Sequence, residues 1–374
     1  EKFVETHLKA PILIYLLLGA ISTLHNVGFS SLSGKTAFFI YFKYIEYFLL
    51  LVLVCNLVKT ERQIVAILSV DTLSCLITAF IGMHQRASGM DFGSRVSGPD
   101  GETANIYGGY LLFHMMLGFG LLVTCKRPTL KLGLIVYLLL LFYITLRTLS
   151  RGSYVGLSAA MILMGFLVDR RLLLWVVFFL IASPLLFPED VANRLSTVIG
   201  VLPGTGFEEP TSWGAKTEAW GALRFDIMRN PLLGMGAGAY PMGWVDSEYF
   251  KVLLEVGLVG LGVWFWWIGK MLLLGWRNYQ ISRVWWHRGL SVGFLCGMVG
   301  LLVHAIAATS LTAIRTMESL MVATGLMVAL TNLLQRKSAL RMSGPNGADG
   351  DLSPFPPGPP RLIRMRRTPG PSPG

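Results

Sequence analysis

Residues 188–247 read PEDVANRLSTVIGVLPGTGFEEPTSWGAKTEAWGALRFDIMRNPLLGMGAGAYPMGWVDS, the longest polar interval in a chain otherwise built of apolar runs. Arg194, Lys216, Arg224 and Arg229 stand in it among Glu189, Asp190, Glu208, Glu209, Glu218, Asp226 and Asp246. On either side the apolar runs are about 17 to 23 residues long, enough as helices to cross about 30 Å of hydrocarbon. The interval therefore reads as a segment that covers a site on one side of a membrane domain.

Composition agrees. The chain is 53% hydrophobic and only 14% charged, with a mean hydropathy of +0.58, whereas soluble domains are about a quarter charged. Alternating strand patterns are absent, which excludes a β-barrel. The expected fold is all-α, a polytopic membrane bundle of about ten spans at 9–25, 36–58, 63–83, 104–125, 130–148, 152–168, 171–187, 249–275, 288–308 and 315–334. Residues 1–187 then hold spans one to seven, 188–247 an extracytoplasmic loop with amphipathic helices, 248–334 spans eight to ten, and 335–374 a disordered basic Pro/Gly-rich tail. Spans five, six and seven are so close in sequence that tight antiparallel hairpins are expected.

Orientation follows from basic residues. Lys2 and Lys9, Lys59 and Arg62, Lys126, Arg127 and Lys131, Arg170 and Arg171, Arg277, Arg283 and Arg288, and the Arg-rich tail all fall on one side of a ten-span arrangement. That side reads as cytoplasmic, with both termini on it. The formal charge of +11 is explained by attraction to anionic lipid and does not imply nucleic acid. Cys55, Cys75, Cys125 and Cys296 lie in apolar runs without metal-ligand spacing and read as buried free thiols. No cleavable signal peptide is read at the start, and spans ahead of Glu1 are left open.

Several polar groups break the apolar pattern. Lys43 and Glu46, three apart, read as an internal ion pair or as part of a polar pathway; Asp71 is similar but nearer the cytoplasmic end. The loop 84–103 carries Arg86 and Arg95, and Asn105 just after it is read either as a helix cap or as a group lining an outer cavity. Arg147 and Arg151 stand four apart at a short external turn, where arginine is disfavoured unless positive charge is required; if the turn stays helical they share a face. Trp220, Leu223 and Ile227 make an apolar stripe on a helix ended by Pro231, suited to lying on the membrane. Gly234, Gly236 and Gly238 read as a flexible turn. Glu248, Lys251 or Val252, and Glu255 share one helical face that should point into the bundle, with Gly257 and Gly260 admitting a neighbouring helix. His304 and Arg315 add polar groups at the same outer surface.

External arginines beside carboxylates, without a metal signature, suit a lipid-linked diphosphate: guanidinium binds phosphate oxygens in pairs and keeps its charge. A carboxylate there could take a proton from an attacking hydroxyl. The ordered set Ser150-Arg151-Gly152, then Arg224-Phe225-Asp226-Ile227-Met228-Arg229-Asn230-Pro231-Leu232-Leu233-Gly234-Met235-Gly236, then Glu248-Tyr249 and Leu253-Leu254-Glu255-Val256-Gly257-Leu258-Val259-Gly260 resembles the O-antigen ligase and polymerase superfamily. Asn105-Ile106-Tyr107-Gly108-Gly109-Tyr110-Leu111 is similar to its polar-entry helix.

The resemblance implies a cofactor-free, metal-independent glycosyltransferase acting on an undecaprenyl-diphosphate-linked glycan donor and a glycan acceptor at the outer face of the membrane. It implies that Arg151 and Arg224 bind the diphosphate and stabilise it as leaving group, with Asp246 or Glu248 activating the acceptor. Arg95, Asn105, Arg147, Arg229 and Arg315 would be substrate-binding. Ligases of the family carry a histidine followed by Asn or Ser before the eighth span; Asp246 and Ser247 stand there, which favours polymerisation of an O-antigen or exopolysaccharide repeat over ligation to lipid A core. The implied partners are membrane lipids and a chain-length regulator or flippase. The competing classes are a transporter and a non-enzymatic envelope subunit.

Overall fold

Hydrocarbon offers the backbone no hydrogen-bond partner, so apolar segments satisfy themselves as helices. The structure, a computed structural model, describes residues 7–26, 34–88, 95–99, 103–174, 212–239 and 246–342. Among these all regular elements are helices: α1 (Lys9–Asn26), α2 (Gly34–Leu57), α3 (Glu61–Ala87), α4 (Ala104–Thr124), α5 (Pro128–Arg147), α6 (Arg151–Leu167), α7 (Ser212–Arg229), α8 (Glu248–Ile281), α9 (Trp285–His304) and α10 (Ile314–Met342). The chain divides into two units, Glu1–Leu334 and Gln335–Gly374. In the second, described residues 335–342 are helical; the site lies in the first.

Seven helices, α2 to α5 and α8 to α10, are long and apolar enough to cross a membrane, so this is a multi-pass helical membrane protein. Two expected spans fall short: α6 has 17 residues, and Lys9, His25 and Asn26 dilute the ends of α1. The expected span 171–187 lies outside the described residues beyond residue 174, as does most of the tail.

The centre is built by α4 and α9, each 72% buried over its apolar window. Their backbones meet at glycines. A Cβ on Gly120 would collide with the Gly289 carbonyl and one on Gly293 would lie 2.6 Å from the Met116 carbonyl. Gly289, Gly293 and Gly297 recur every fourth residue along one face of α9, the small-residue spacing that lets membrane helices approach. On the same helix Gly300 faces Gly156 of α6. Helices α5 and α6 are joined by a short turn, but the extensive helix contacts each makes are with α4 and, for α6, also with α9; the close hairpin expected from loop length gives way to the glycine-lined centre.

Helix ends gather at two poles. At one, Thr60 and Gln63 form a capping box that starts α3, Tyr279 of α8 donates to the Leu167 carbonyl, and Arg288 bonds Tyr279. At the other pole the C-termini of α3, α5 and α9 meet the N-termini of α4, α6, α8 and α10, through contacts described below. Most polar side chains expected to do chemistry are at this second pole. All four cysteines are buried and free.

Candidate functional site

The second pole is assembled by arginines bridging chain segments. Arg95 donates from Nε to the Thr148 carbonyl at 3.0 Å and from its terminal nitrogen to Asn105 Oδ1 at 2.7 Å, while Val96 N–H donates to the Arg147 carbonyl. Asn105 is thus neither a cap nor a free lining group: Thr103 caps α4 and Asn105 holds Arg95. Arg315 donates to the Pro99 carbonyl at 2.7 Å and lies 5.9 Å from the ring centres of Tyr107 and Tyr110, a cation–π arrangement. Gly98, with φ 73, turns the segment over the Tyr107 ring and exchanges two hydrogen bonds with Gln85.

Arg147 and Arg151 flank the turn as predicted, but not on one helical face. Leu149 takes a left-handed φ of 51 and Ser150 is extended, its hydroxyl capping α6 by accepting from Ser153 N–H. The Arg147 guanidinium leans on the Tyr143 ring, and Arg151, half-buried, opens α6. Beside it Gly152 touches His304, whose Nδ1 is 3.0 Å from Ser310 Oγ. Gly109 of α4 reaches the same histidine and serine. His304 is therefore an interior residue around which α4, α6 and α9 close.

Glu248 opens α8 fully buried. Its N–H donates to the Ala305 carbonyl and its Oε2 accepts from Leu311 N–H at 3.0 Å, so it clamps the α9–α10 connection. Lys251 is 7% exposed and donates to Thr312 Oγ1 at 2.8 Å. The inward stripe Glu248–Lys251–Glu255 is present as read. Asp246, two residues earlier, is partly exposed.

The Trp220–Leu223–Ile227 stripe of α7 packs on α8: Trp220 stacks on Phe250 at 5.1 Å, and Leu223 sits against Leu254. This stripe was expected to face lipid; it faces protein, because Phe250 and Leu254 offer a complementary apolar strip. The opposite face leaves Arg224, Phe225 and Met228 exposed. Arg229 is exposed too, 4.0 Å from Asp226. The structure thus joins Arg95, Asn105 and the Arg147 backbone directly and sets Arg315 beside them, while Arg224 and Arg229 stand on a separate helix face. Lys216 is described only in its backbone.

Below the pole, α8 is broken. Gly257 has φ 68 and ψ −171 inside the helix, and what approaches it is a loop rather than the helix expected from its sequence. Leu258 and Val259 N–H donate to the carbonyls of Pro231 and Leu232, and Met235 and Gly236 N–H donate to those of Leu254 and Glu255. Gly234, Gly236 and Gly238 all have positive φ and are pinned rather than free. Asn26 donates to the Gly234 carbonyl, Thr23 accepts from Ala237 N–H, and Ser22 donates to the Glu255 carbonyl. The Glu255 carboxylate accepts from Tyr44 O–H at 2.8 Å and from Gly238 N–H at 2.9 Å.

Asp71 has an internal partner, as read, whereas the Lys43–Glu46 pair departs from the reading. Asp71 bonds His114 Nε2 at 3.1 Å and accepts from Ser319. Lys43 pairs with Glu46 at 2.8 Å and also with Glu318 at 3.2 Å, but Glu46 is 58% exposed; the pair is peripheral, not internal. The Tyr44–Glu255 and Asp71–His114 links were missed. A usable signal was present, since His114 and Asp71 each interrupt a long apolar run at its middle. Among the described residues no group of three His, Cys, Asp or Glu is placed to hold a metal ion. No protein-family model and no curated protein matches the chain.

Proposed function

We propose that this protein is a membrane glycosyltransferase of the O-antigen ligase and polymerase type, polymerising undecaprenyl-diphosphate-linked oligosaccharide repeats at the outer face of the bacterial cytoplasmic membrane. The observation that carries the reading is the gathering of Arg95, Arg147, Arg151 and Arg315 at one pole, beside the carboxylates that open α8. Arg151 and, from the exposed face of α7, Arg224 would hold the donor diphosphate and carry its charge as it leaves. Arg95, Asn105 and Arg315 shape the pole, Arg147 adds positive charge at its edge, and Arg229 adds it on α7. Glu248 is committed to the Leu311 N–H and fully buried, so the partly exposed Asp246 is the better placed group to take the acceptor's proton. Ten spans with both termini cytoplasmic, and the 188–247 segment on the outer side with its 231–236 loop reaching in to the break at Gly257, fit the distribution of basic residues.

The reading is tested by supplying purified protein in liposomes with a polyprenyl-diphosphate oligosaccharide. Elongation supports polymerisation; transfer only when lipid A core is added assigns a ligase; no joining of either kind removes both. A second reading, a transporter of lipid-linked saccharide, is favoured by the break at Gly257, because discontinuous helices at depth are typical of transporters. Exchange of substrate across the liposome without glycan joining would establish it.

A further inference from the structure

Away from the pole, the outer surface of α2 carries two charged side chains. Lys43 and Glu46 lie nine and twelve residues after Gly34, in the middle of a 24-residue apolar helix, about 14 and 18 Å along its axis. Hydrocarbon is about 30 Å thick, so a helix of this length places both groups inside it. Ionisable side chains at that depth normally face a bundle interior or a partner. Here the side chains are 28% and 58% exposed, and Glu318 of α10, which shares the same ammonium, is 40% exposed.

One lysine therefore serves two acidic side chains, so the cluster holds one more acidic group than basic on a surface otherwise apolar. Immediately below it an open groove of about 650 Å³ runs along α2, bounded by Glu46, Glu318, Leu49, Leu53, Leu57 and Asn56. Leu49, Leu53 and Leu57 recur every fourth residue and are 61%, 53% and 61% exposed, a seam on which a second helix can lie.

We infer that this groove receives a transmembrane helix of another protein, one that carries a lysine or arginine at the depth of Lys43. The basic side chain would complete a two-cation, two-carboxylate cluster with Lys43, Glu46 and Glu318, while its helix covers the leucine seam. A second copy of this chain fits less well, since two copies would set four carboxylates against two ammonium groups.

The test uses the full chain in liposomes, donor-labelled, with acceptor-labelled synthetic transmembrane peptides as probes: a leucine-alanine helix with one central lysine, and the same helix with leucine in its place. Resonance energy transfer should show the lysine peptide associating about tenfold more tightly, as one satisfied intramembrane charge pair requires. That preference should vanish in Glu46→Gln/Glu318→Gln, and Leu53→Trp, which fills the groove without touching the charges, should weaken both peptides. Glycan joining in the same liposomes should be unchanged in the double variant. Equal association of the two peptides, or a preference that survives the double variant, would overturn the inference. So would energy transfer between two labelled copies of the chain that Leu53→Trp abolishes, which would assign the groove to self-association.

Discussion

The N–H of Leu258 donates to the carbonyl of Pro231 at 2.9 Å across the break in α8. A helix interrupted in hydrocarbon leaves backbone groups without partners, and each would be costly there. The loop 231–236 supplies those partners, two accepting carbonyls below the break and two donating N–H groups above it. The break and the loop are therefore one structural unit.

Gly257→Ala is expected to destabilise the protein by about 1–3 kcal/mol, because φ 68 with ψ −171 is a glycine-only region and the new Cβ would press on the Leu232 carbonyl. Gly262→Ala, with open space beside it, should be neutral or stabilise by up to about 1 kcal/mol. Unfolding of the purified protein in detergent, followed by tryptophan fluorescence, compares the two. Equal effects would remove the special role given to the break.

Asp71 Oδ2 lies 3.1 Å from His114 Nε2. His114 Nδ1 faces the Tyr110 carbonyl, which can only accept, so Nδ1 carries a hydrogen and the ring turns Nε2 to Asp71. Asp71→Asn keeps both contacts, with the amide donating to Nε2 and its oxygen accepting from Ser319. Asp71→Ala loses both. The alanine variant should lose about 1–2 kcal/mol and the asparagine variant markedly less, read by the same unfolding assay.

The α4–α9 seam tolerates no side chain at Gly293. Gly293→Ala would set a Cβ 2.6 Å from the Met116 carbonyl and should cost about 1–3 kcal/mol by overpacking. Gly133→Ala on α5, where nothing lies within 4 Å, is the control and should not lower the midpoint.

On the proposed function, Arg151→Ala and Arg224→Ala should each slow polymer formation about a hundredfold, the scale of losing one donor to a developing anion, with protein still in the membrane. Asp246→Asn should lower the rate at unchanged stability. Glu248→Gln should act through stability, since its carboxylate holds the α9–α10 connection. Surface polysaccharide length, set beside the unfolding midpoint, separates these outcomes.

Much of the fold was legible because hydrocarbon imposes a simple rule: long apolar runs must be helices. Span positions for α2 to α5 and α8 to α10 match to within a few residues at most ends, and the buried stripe Glu248–Lys251–Glu255 follows from helical spacing alone. What was not legible depends on contacts between distant segments. Periodicity gave α7 an apolar face but not whether lipid or Phe250 would cover it. The glycines at 234–238 look like a hinge locally, and only Thr23 and Asn26, more than two hundred residues upstream, turn them into an anchor. Arg147 and Arg151 were separated by one left-handed leucine, which four-residue spacing cannot foresee. Of the expected site residues, Arg95 and Asn105 were found together, whereas Arg224 stands on a face of its own.

The clasp between α1 and the loop at 234–237 also sets an order of assembly. Asn26 is made 208 residues before Gly234, so α1 must wait in the membrane while most of the protein is synthesised. It is equipped to wait: Thr23 bonds the Gly19 carbonyl and Asn26 the Ser22 carbonyl within their own helix, and each needs only add a partner when the loop arrives. Helix α1 is in this way made long before it is fastened, and a chain halted before Pro231 would carry α1 with no clasp to close.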